Sequence, residues 1–183
     1  MYPIFRMIKG VAQSLRAEKL DFFDTHVSHH ICWPWDLDFW FELNNGRTLT
    51  LFDLGRVPHS IRIGIIGLVR RKGWAMAVAG VSVRYRKRVR AFHKVEMHTR
   101  LIGWDERFVY MEQSLWRKGE CTCNMLLRAA VTDKNGIVAP QKVPEAMGID
   151  LQSPDLPAWV QSWIAADAER PWPPEPNPHE TRP

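Results

Sequence analysis

The sequence predicts an α+β domain, in which an antiparallel sheet of about five strands wraps around one long central helix and extra helices lie N- and C-terminal to it. One observation is the helical recurrence of apolar residues over residues 45–66. Another is a strand-like alternation of apolar and polar residues in successive segments between residues 75 and 132, with turn residues between them. A long helix followed by a meander of consecutive strands favours a sheet that curls around that helix.

An amphipathic helix is predicted within residues 1–20. Its apolar positions are Ile4, Phe5, Ile8, Val11, Ala12 and Leu15. Its polar positions are Arg6, Lys9, Gln13 and Arg16. We expect the apolar stripe to pack against the domain or a neighbouring subunit, and contact with a membrane surface is the less favoured alternative.

A first strand is predicted over residues 27–33, and Pro34 ends it. The central helix follows over residues 45–66, and Pro58 lies inside it. Proline removes a backbone donor and clashes with the preceding turn, so we expect a kink or break near residues 56–57.

Four further strands are predicted over residues 75–86, 94–104, 107–117 and 121–132. The clearest alternation is in the second of these strands, where the residues of one face are Val95, Met97, Thr99 and Leu101. These strands place the main domain within residues 27–148.

The C-terminal part predicts a terminal helix over residues 155–170, with Asp155 as a candidate N-cap and Pro157 in the first turn. Residues 171–183 are proline-rich and polar, and we expect them to be disordered or extended.

Composition excludes several classes of protein. A chain of 183 residues forms one domain with an ordinary core, and no apolar stretch approaches the ~20 residues of a membrane-spanning helix. The three cysteines show no disulfide framework and too few ligands for a metal, which favours a reducing, cytoplasmic setting. The net charge of +5 includes a basic run, which consists of Arg84, Arg86, Lys87, Arg88 and Arg90. No nucleic-acid-binding motif accompanies this run.

The most informative motif is Asp36-Leu37-Asp38, followed by Asn44-Asn45-Gly46 at the start of the central helix. The arrangement places a carboxylate beside a helix N-terminus. Free backbone N–H groups and the helix dipole favour developing negative charge at that point. Asp36 is expected to cap a turn or pair with an arginine.

This motif resembles that of hotdog-fold acyl-CoA thioesterases of the 4-hydroxybenzoyl-CoA thioesterase type. The residues that match the family pattern are Asp36, Asp38, Asn44, Asn45 and Arg56. The resemblance extends over residues 27–148, and it departs from the family where Glu42 replaces a frequent histidine.

The resemblance implies that Asp38 supplies the catalytic carboxylate, either as nucleophile or by activating water. It implies an oxyanion-binding backbone N–H at Asn45, with Asn44 and Gly46 beside the substrate. Glu42 could serve as the base itself, and Asp53 is a further catalytic candidate, although its spacing from Arg56 also suits an intrahelical ion pair.

The resemblance also places Ser82 and Arg84 on a strand that borders the substrate cleft of the dimer. The charge of the basic run, which includes Arg86 and Arg88, makes it a candidate for binding the phosphates of coenzyme A. It implies a homodimer or a dimer of dimers, with no metal or organic cofactor. The competing hypothesis is a non-catalytic module that binds acyl-CoA or an acyl carrier on the same fold. Glu42 keeps that alternative open.

Overall fold

A computed structural model describes residues 2–174 of the chain. The helices in this part are α1 (Ile4–Ser14), α2 (Asn45–Arg62), α3 (Ile65–Lys72), α4 (Lys142–Ala146) and α5 (Ala158–Ala168). The strands are β1 (His26–Ile31), β2 (Ala75–Tyr85), β3 (Lys94–Trp104), β4 (Val109–Arg117), β5 (Glu120–Asp133) and β6 (Gly136–Val138). The predicted α+β architecture is confirmed, and the short β6 adds one strand to the five that were expected.

The sheet is antiparallel throughout, in the order β1-β3-β4-β5-β2, and β6 extends it beside β5. Strands β3, β4 and β5 form the expected meander. The predicted meander of consecutive strands does not include β2, because β2 pairs with β5, where Val83 lies opposite Met125. This pairing leaves β2 as an edge strand of the sheet within residues 2–174.

Helix α2 packs against the sheet at a glycine. A Cβ added to Gly55 would clash with Thr99 Oγ1 and with Met97 Sδ of β3, so the absence of a side chain permits this close approach. Buried Gln113 of β4 fixes the contact, because its Nε2 donates to the Phe52 carbonyl at 2.8 Å and to Thr99 Oγ1 at 2.9 Å. The predicted alternation of β3 is confirmed by the burial of its core-facing residues.

Helix α2 continues through Pro58 to Arg62, so a break near residues 56–57 was the wrong expectation. Pro58 is buried where α1 crosses α2, and a Cβ added to Gly10 would lie only 3.3 Å from its ring. The ring therefore packs against α1 at a point where α2 lacks one backbone hydrogen bond. The actual break lies at Gly64, whose φ of 80° is left-handed and separates α2 from α3.

The C-terminal helix α5 covers the outer face of the sheet. Its Val160 packs with Tyr110 and Leu126 in a second buried cluster. Its Asp167 accepts a hydrogen bond from Arg128 Nη2 at 2.6 Å. Helix α5 begins after Pro157, so Asp155 is not its N-cap, and the predicted tail falls mostly on residues outside those described.

Helix α1 packs across α2, as expected, but not through its apolar stripe. The residues of α1 that face the domain include Arg6, Met7, Gly10 and Ser14, whereas Ile4, Phe5, Ile8 and Leu15 are exposed. None of the described helices is long and apolar enough to cross a bilayer.

Candidate functional site

The first carboxylate of the motif, Asp36, anchors the region. Its buried side chain accepts two hydrogen bonds from Arg6 Nη2, at 2.7 and 2.9 Å, and one from Arg47 Nε at 2.6 Å. It also accepts the Trp33 backbone N–H at 3.0 Å and thereby caps the 3-10 turn Pro34–Asp36. Both expectations for Asp36, a turn cap and an arginine pair, are confirmed.

The environment of Asp36 keeps it ionised. Burial alone would raise the pKa of this carboxyl group, but the hydrogen bonds from Arg6, the Trp33 N–H and Arg47 outweigh burial and hold the pKa below its usual value. A carboxylate that is neutralised on three sides in this way joins α1, the turn and α2, and it is not available to a substrate.

The second carboxylate, Asp38, lies in a small closed loop. Leu37 and Leu43 form a bridge across the base of this loop, and the Asp38 N–H donates to the Glu42 carbonyl at 2.8 Å. Asp38 Oδ1 accepts the backbone N–H groups of Trp40 at 2.9 Å and of Glu42 at 3.3 Å. No hydrogen bond within residues 2–174 engages the second oxygen, Oδ2, so one carboxylate oxygen is held while the other remains available.

The start of α2 supplies backbone donors beside this loop. Asn44 is the N-cap, and its side chain accepts the Arg47 N–H at 2.9 Å. The Thr48 N–H donates to the Asn44 carbonyl at 2.8 Å. In the described chain, the N–H groups of Asn45 and Gly46 have no partner, as the first turn of a helix dictates. These two amides form a candidate oxyanion site.

Asp38 and Asn45 line the same cavity, of about 350 Å³. The remaining lining residues are Glu42, Leu43, Thr48, Tyr85, Arg86, Lys87, Arg88, Val89, Leu115, Thr122 and Cys123. The cavity therefore combines one available carboxylate, a helix N-terminus and three cationic side chains from the segment after β2. We refer to it as the Asp38 cavity.

Glu42 faces the basic segment within the same cavity. Its Oε1 lies 2.9 Å from Arg88 Nε, and the Arg88 side chain is 72% exposed. The residue at the usual histidine position thus forms a salt bridge at the rim, while its backbone closes the loop around Asp38.

Several predicted site residues lie elsewhere. Asp53 pairs with Arg56 and accepts a hydrogen bond from the Tyr2 hydroxyl at 3.2 Å, and it does not line the Asp38 cavity. The intrahelical ion pair expected for Asp53 is therefore present. Ser82 and Arg84 lie on β2 outside the cavity lining, and Asn44 and Gly46 border the helix start without lining it.

Sequence reasoning did not identify Tyr85, whose hydroxyl donates to the Asn45 carbonyl at 3.2 Å and ties the end of β2 to the start of α2. No local pattern marks Tyr85, because its position depends on the pairing of β2 with β5. Cys123 also lines the cavity, but burial raises the pKa of its thiol to about 12, so it is not a thiolate at neutral pH.

A larger cavity, of about 540 Å³, lies between α1, β1 and α2. It contains neither carboxylate of the motif, and Arg6 is the group that links it to Asp36. The smaller Asp38 cavity, and not this larger one, contains the candidate carboxylate Asp38 and the start of α2. Among the described residues, no group of three or more His, Cys, Asp or Glu side chains is placed to hold a metal ion.

Comparison with known proteins identifies the family and agrees with the fold. The sequence profile of the Thioesterase-like superfamily matches residues 32–164. Protein THEM6 of Xenopus laevis is 31% identical over 171 residues, which are 90% of this chain and 81% of that protein. The crystal structure of YbaW, a probable thioesterase from Escherichia coli, superimposes with a TM-score of 0.62 at 15% identity, covering 66% of this chain and 95% of that one. A Thermus thermophilus thioesterase solved with coenzyme A and Zn has a TM-score of 0.57 at 20% identity, covering 69% and 94% of the two chains.

Proposed function

Because the chain belongs to the Thioesterase-like superfamily and has its hotdog fold, we propose that it hydrolyses acyl-CoA thioesters in the Asp38 cavity. The observation that supports this proposal most directly is that an available carboxylate, Asp38, and the helix N-terminal residue Asn45 line one cavity, and that the Asn45 N–H has no partner among residues 2–174. Thioester hydrolysis needs both, one to deliver the nucleophile to the carbonyl carbon and the other to stabilise the oxyanion.

Asp38 acts in the first step of this proposal. Its Oδ1 is fixed by the Trp40 and Glu42 N–H groups. Oδ2 is therefore the oxygen that would react with a thioester carbonyl or with a water molecule. As a nucleophile, Oδ2 would form an acyl anhydride and release the thiolate of coenzyme A, and water would then hydrolyse the anhydride to the free acid and restore Asp38. As a base, it would take a proton from the attacking water. In both cases the Asn45 N–H stabilises the oxyanion at the positive end of α2, with the Gly46 N–H next to it in the first turn.

The carrier is proposed to be coenzyme A because of charge. Arg86, Lys87 and Arg88 line the cavity beside the carboxylate, and a nucleotide carrier presents phosphates that such cations attract. The Thermus thermophilus relative in fold was solved with coenzyme A, which is the carrier proposed here.

We also propose that the protein assembles through β2. The exposed residues on this edge strand include Val78 and Val81. An exposed apolar edge strand can form backbone hydrogen bonds with the same strand of a second copy of the chain. Tyr85 ends β2 and contacts Asn45, so pairing along β2 would place a partner copy beside the cavity. Sedimentation velocity of Val81→Lys against wild type tests this, and an unchanged sedimentation coefficient would contradict it.

The activity is tested by measuring release of free thiol from short, long and aromatic acyl-CoAs with wild type and Asp38→Asn. The asparagine oxygen can still accept the two loop N–H groups, so the loop is preserved while the carboxylate is lost. We expect turnover to fall by about 10²–10⁴-fold, the usual contribution of a catalytic acid–base group. Asp150→Asn, at an exposed position outside the cavity, is the matched control and should match wild type.

The alternative is a non-catalytic acyl-CoA binding module, which the Glu42–Arg88 salt bridge favours because it occupies the usual histidine position. No turnover of any substrate, together with retained acyl-CoA binding, would establish this alternative. Turnover that survives Asp38→Asn would instead direct attention to Glu42 and Asp53.

A further inference from the structure

Helix α1 exposes a continuous apolar stripe. Ile4 is 56% exposed, Phe5 89%, Ile8 60% and Leu15 70%. With Ala12 between them, these residues share one side of the helix at i, i+4 and i+7 spacing. Exposed large apolar residues that cluster in this way mark an interaction surface.

The exposure results from the way α1 is attached. Arg6 makes its paired contact with Asp36, and the Tyr2 hydroxyl donates to Asp53 at 3.2 Å. Ser14 is buried, and Gly10 allows the close approach to Pro58. Rotation of α1 to bury its apolar stripe would break these contacts, so the stripe faces away from the domain.

Charge indicates what covers the stripe. Lys9 and Arg16 are exposed and lie one helical turn after Phe5 and Ala12, at the border of the stripe. Residues 2–17 contain no Asp or Glu, and the next acidic residue along the chain is Glu18. A helix with large apolar side chains bordered by cations matches the interface of an anionic bilayer, where the aliphatic stems of Lys and Arg reach the headgroups.

A second copy of the chain is a poorer match for the same surface. Pairing of two identical helices about a twofold axis would bring Lys9 and Arg16 of both copies to one contact. With no acidic residue on α1 to balance them, like charges would face each other at the interface.

We propose that α1 docks the protein on an anionic lipid surface, with Ile4, Phe5, Ile8 and Leu15 in the interfacial region and Lys9 and Arg16 at the headgroups. Arg6 links the docked helix to Asp36, two residues before Asp38, so docking holds the Asp38 cavity near the lipid surface. The inference concerns binding and does not depend on the proposed activity.

Co-sedimentation with vesicles tests the proposal. The full chain is mixed with vesicles of phosphatidylcholine alone or with phosphatidylglycerol added. We expect binding to the anionic vesicles that weakens as salt is raised, because screening shortens the reach of the cations. The variant Phe5→Asp/Ile8→Asp should bind at least about tenfold more weakly, since charge on the apolar face opposes insertion. Ile66→Asp, an exposed apolar position on α3, is the matched control and should bind like wild type.

A second variant guards against loss of folding. Lys9→Glu/Arg16→Glu changes exposed side chains, and it should lose binding to anionic vesicles while circular dichroism remains that of wild type. Unchanged binding by both double variants, or no binding of wild type to any vesicle, would overturn the proposal. The proposal would also be overturned if wild type does not bind vesicles and the Phe5→Asp/Ile8→Asp variant forms smaller species than wild type. That result would assign the stripe to contact with a second copy of the chain.

Discussion

Asp36 and Asp38 stand two residues apart in one motif, yet they lie in two different regions of the molecule. Asp36 is fully buried between Arg6 and Arg47, in the anchoring region beneath α1. Asp38 is held by loop N–H groups at one oxygen only, in the open Asp38 cavity. The difference teaches that the environment, and not the residue type, assigns the role: one carboxylate holds the fold and the other is available for chemistry.

The largest effect that we expect is a loss of stability when Asp36 is replaced. Asp36→Asn removes the buried carboxylate that pairs with Arg6 and Arg47, and the free energy of unfolding should fall by about 3 kcal/mol. This value is the lower end of the range usual for breaking a buried ion pair, because the side chains of Arg6 and Arg47 are 20% and 14% exposed. Urea unfolding at neutral pH measures the change. A loss below about 0.5 kcal/mol would contradict the anchoring role.

The same carboxylate has a signature in pH. Its folded pKa is depressed, whereas the unfolded chain takes up a proton near pH ~3.9. The stabilisation is therefore present above about pH 4 and is lost as the pH falls further. The gap in unfolding free energy between wild type and Asp36→Asn should be constant above that pH and shrink below it. A gap that persists into strong acid would exclude the ionised carboxylate as its cause.

A buried histidine of α2 provides a second pH signature, separate from that of Asp36. Burial lowers the pKa of His59 to about 4, so the folded protein keeps this imidazole neutral while the unfolded chain protonates near pH ~6.5. Stability that is full above about pH 6.5 should fall by about 2 kcal/mol per such histidine by pH ~5. His59→Gln should flatten the pH dependence over this interval. An unchanged slope would contradict the assignment to His59.

In the Asp38 cavity, the cations should affect substrate binding. Arg86→Ala/Arg88→Ala is expected to raise KM on the order of tenfold with kcat nearly unchanged, because the phosphates lie away from the reacting atoms. Arg84→Ala is the matched control, since Arg84 belongs to the same basic run but lies outside the cavity lining. An equal rise of KM in the control would show that the cations act only through the overall positive charge of the run and not by direct contact with the phosphates.

The smallest effect is expected at Glu42. Its partner Arg88 is 72% exposed, so Glu42→Gln should change stability by less than about 1 kcal/mol. Turnover should also stay within a few-fold of wild type, because its side chain is engaged at the rim. A collapse of kcat as large as that of Asp38→Asn would make Glu42 the base.

Much of this arrangement could be predicted from the sequence, because it depends on local patterns. The alternation of β3 and the Asn44 cap at the start of α2 depend on neighbouring residues alone. The two roles suggested for Asp36 were also correct. By contrast, the place of β2 at the sheet edge depends on its distant partner β5, and Tyr85 could not be assigned to the cavity without that pairing.

The outward-facing apolar stripe of α1 and the continuation of α2 through Pro58 have the same kind of cause. An amphipathic pattern predicts a helix but not the face that packs, and here the ion pair of half-buried Arg6 with Asp36 turns the polar face inward. Likewise, a proline within a helical pattern does not show where the helix ends, and here α2 continues through Pro58, whose ring packs against α1 at Gly10. Both outcomes follow from contacts that are more than 20 residues apart in sequence.

The most direct test of the division between the two carboxylates is to measure unfolding free energy and thioester turnover on the same preparations of wild type, Asp36→Asn and Asp38→Asn. We predict that Asp38→Asn unfolds within about 0.5 kcal/mol of wild type yet loses turnover about 10²–10⁴-fold. Asp36→Asn should lose stability while the folded fraction still turns over substrate. If Asp38→Asn loses as much stability as Asp36→Asn, and turnover only in proportion to the unfolded fraction, both carboxylates are structural and the account is wrong.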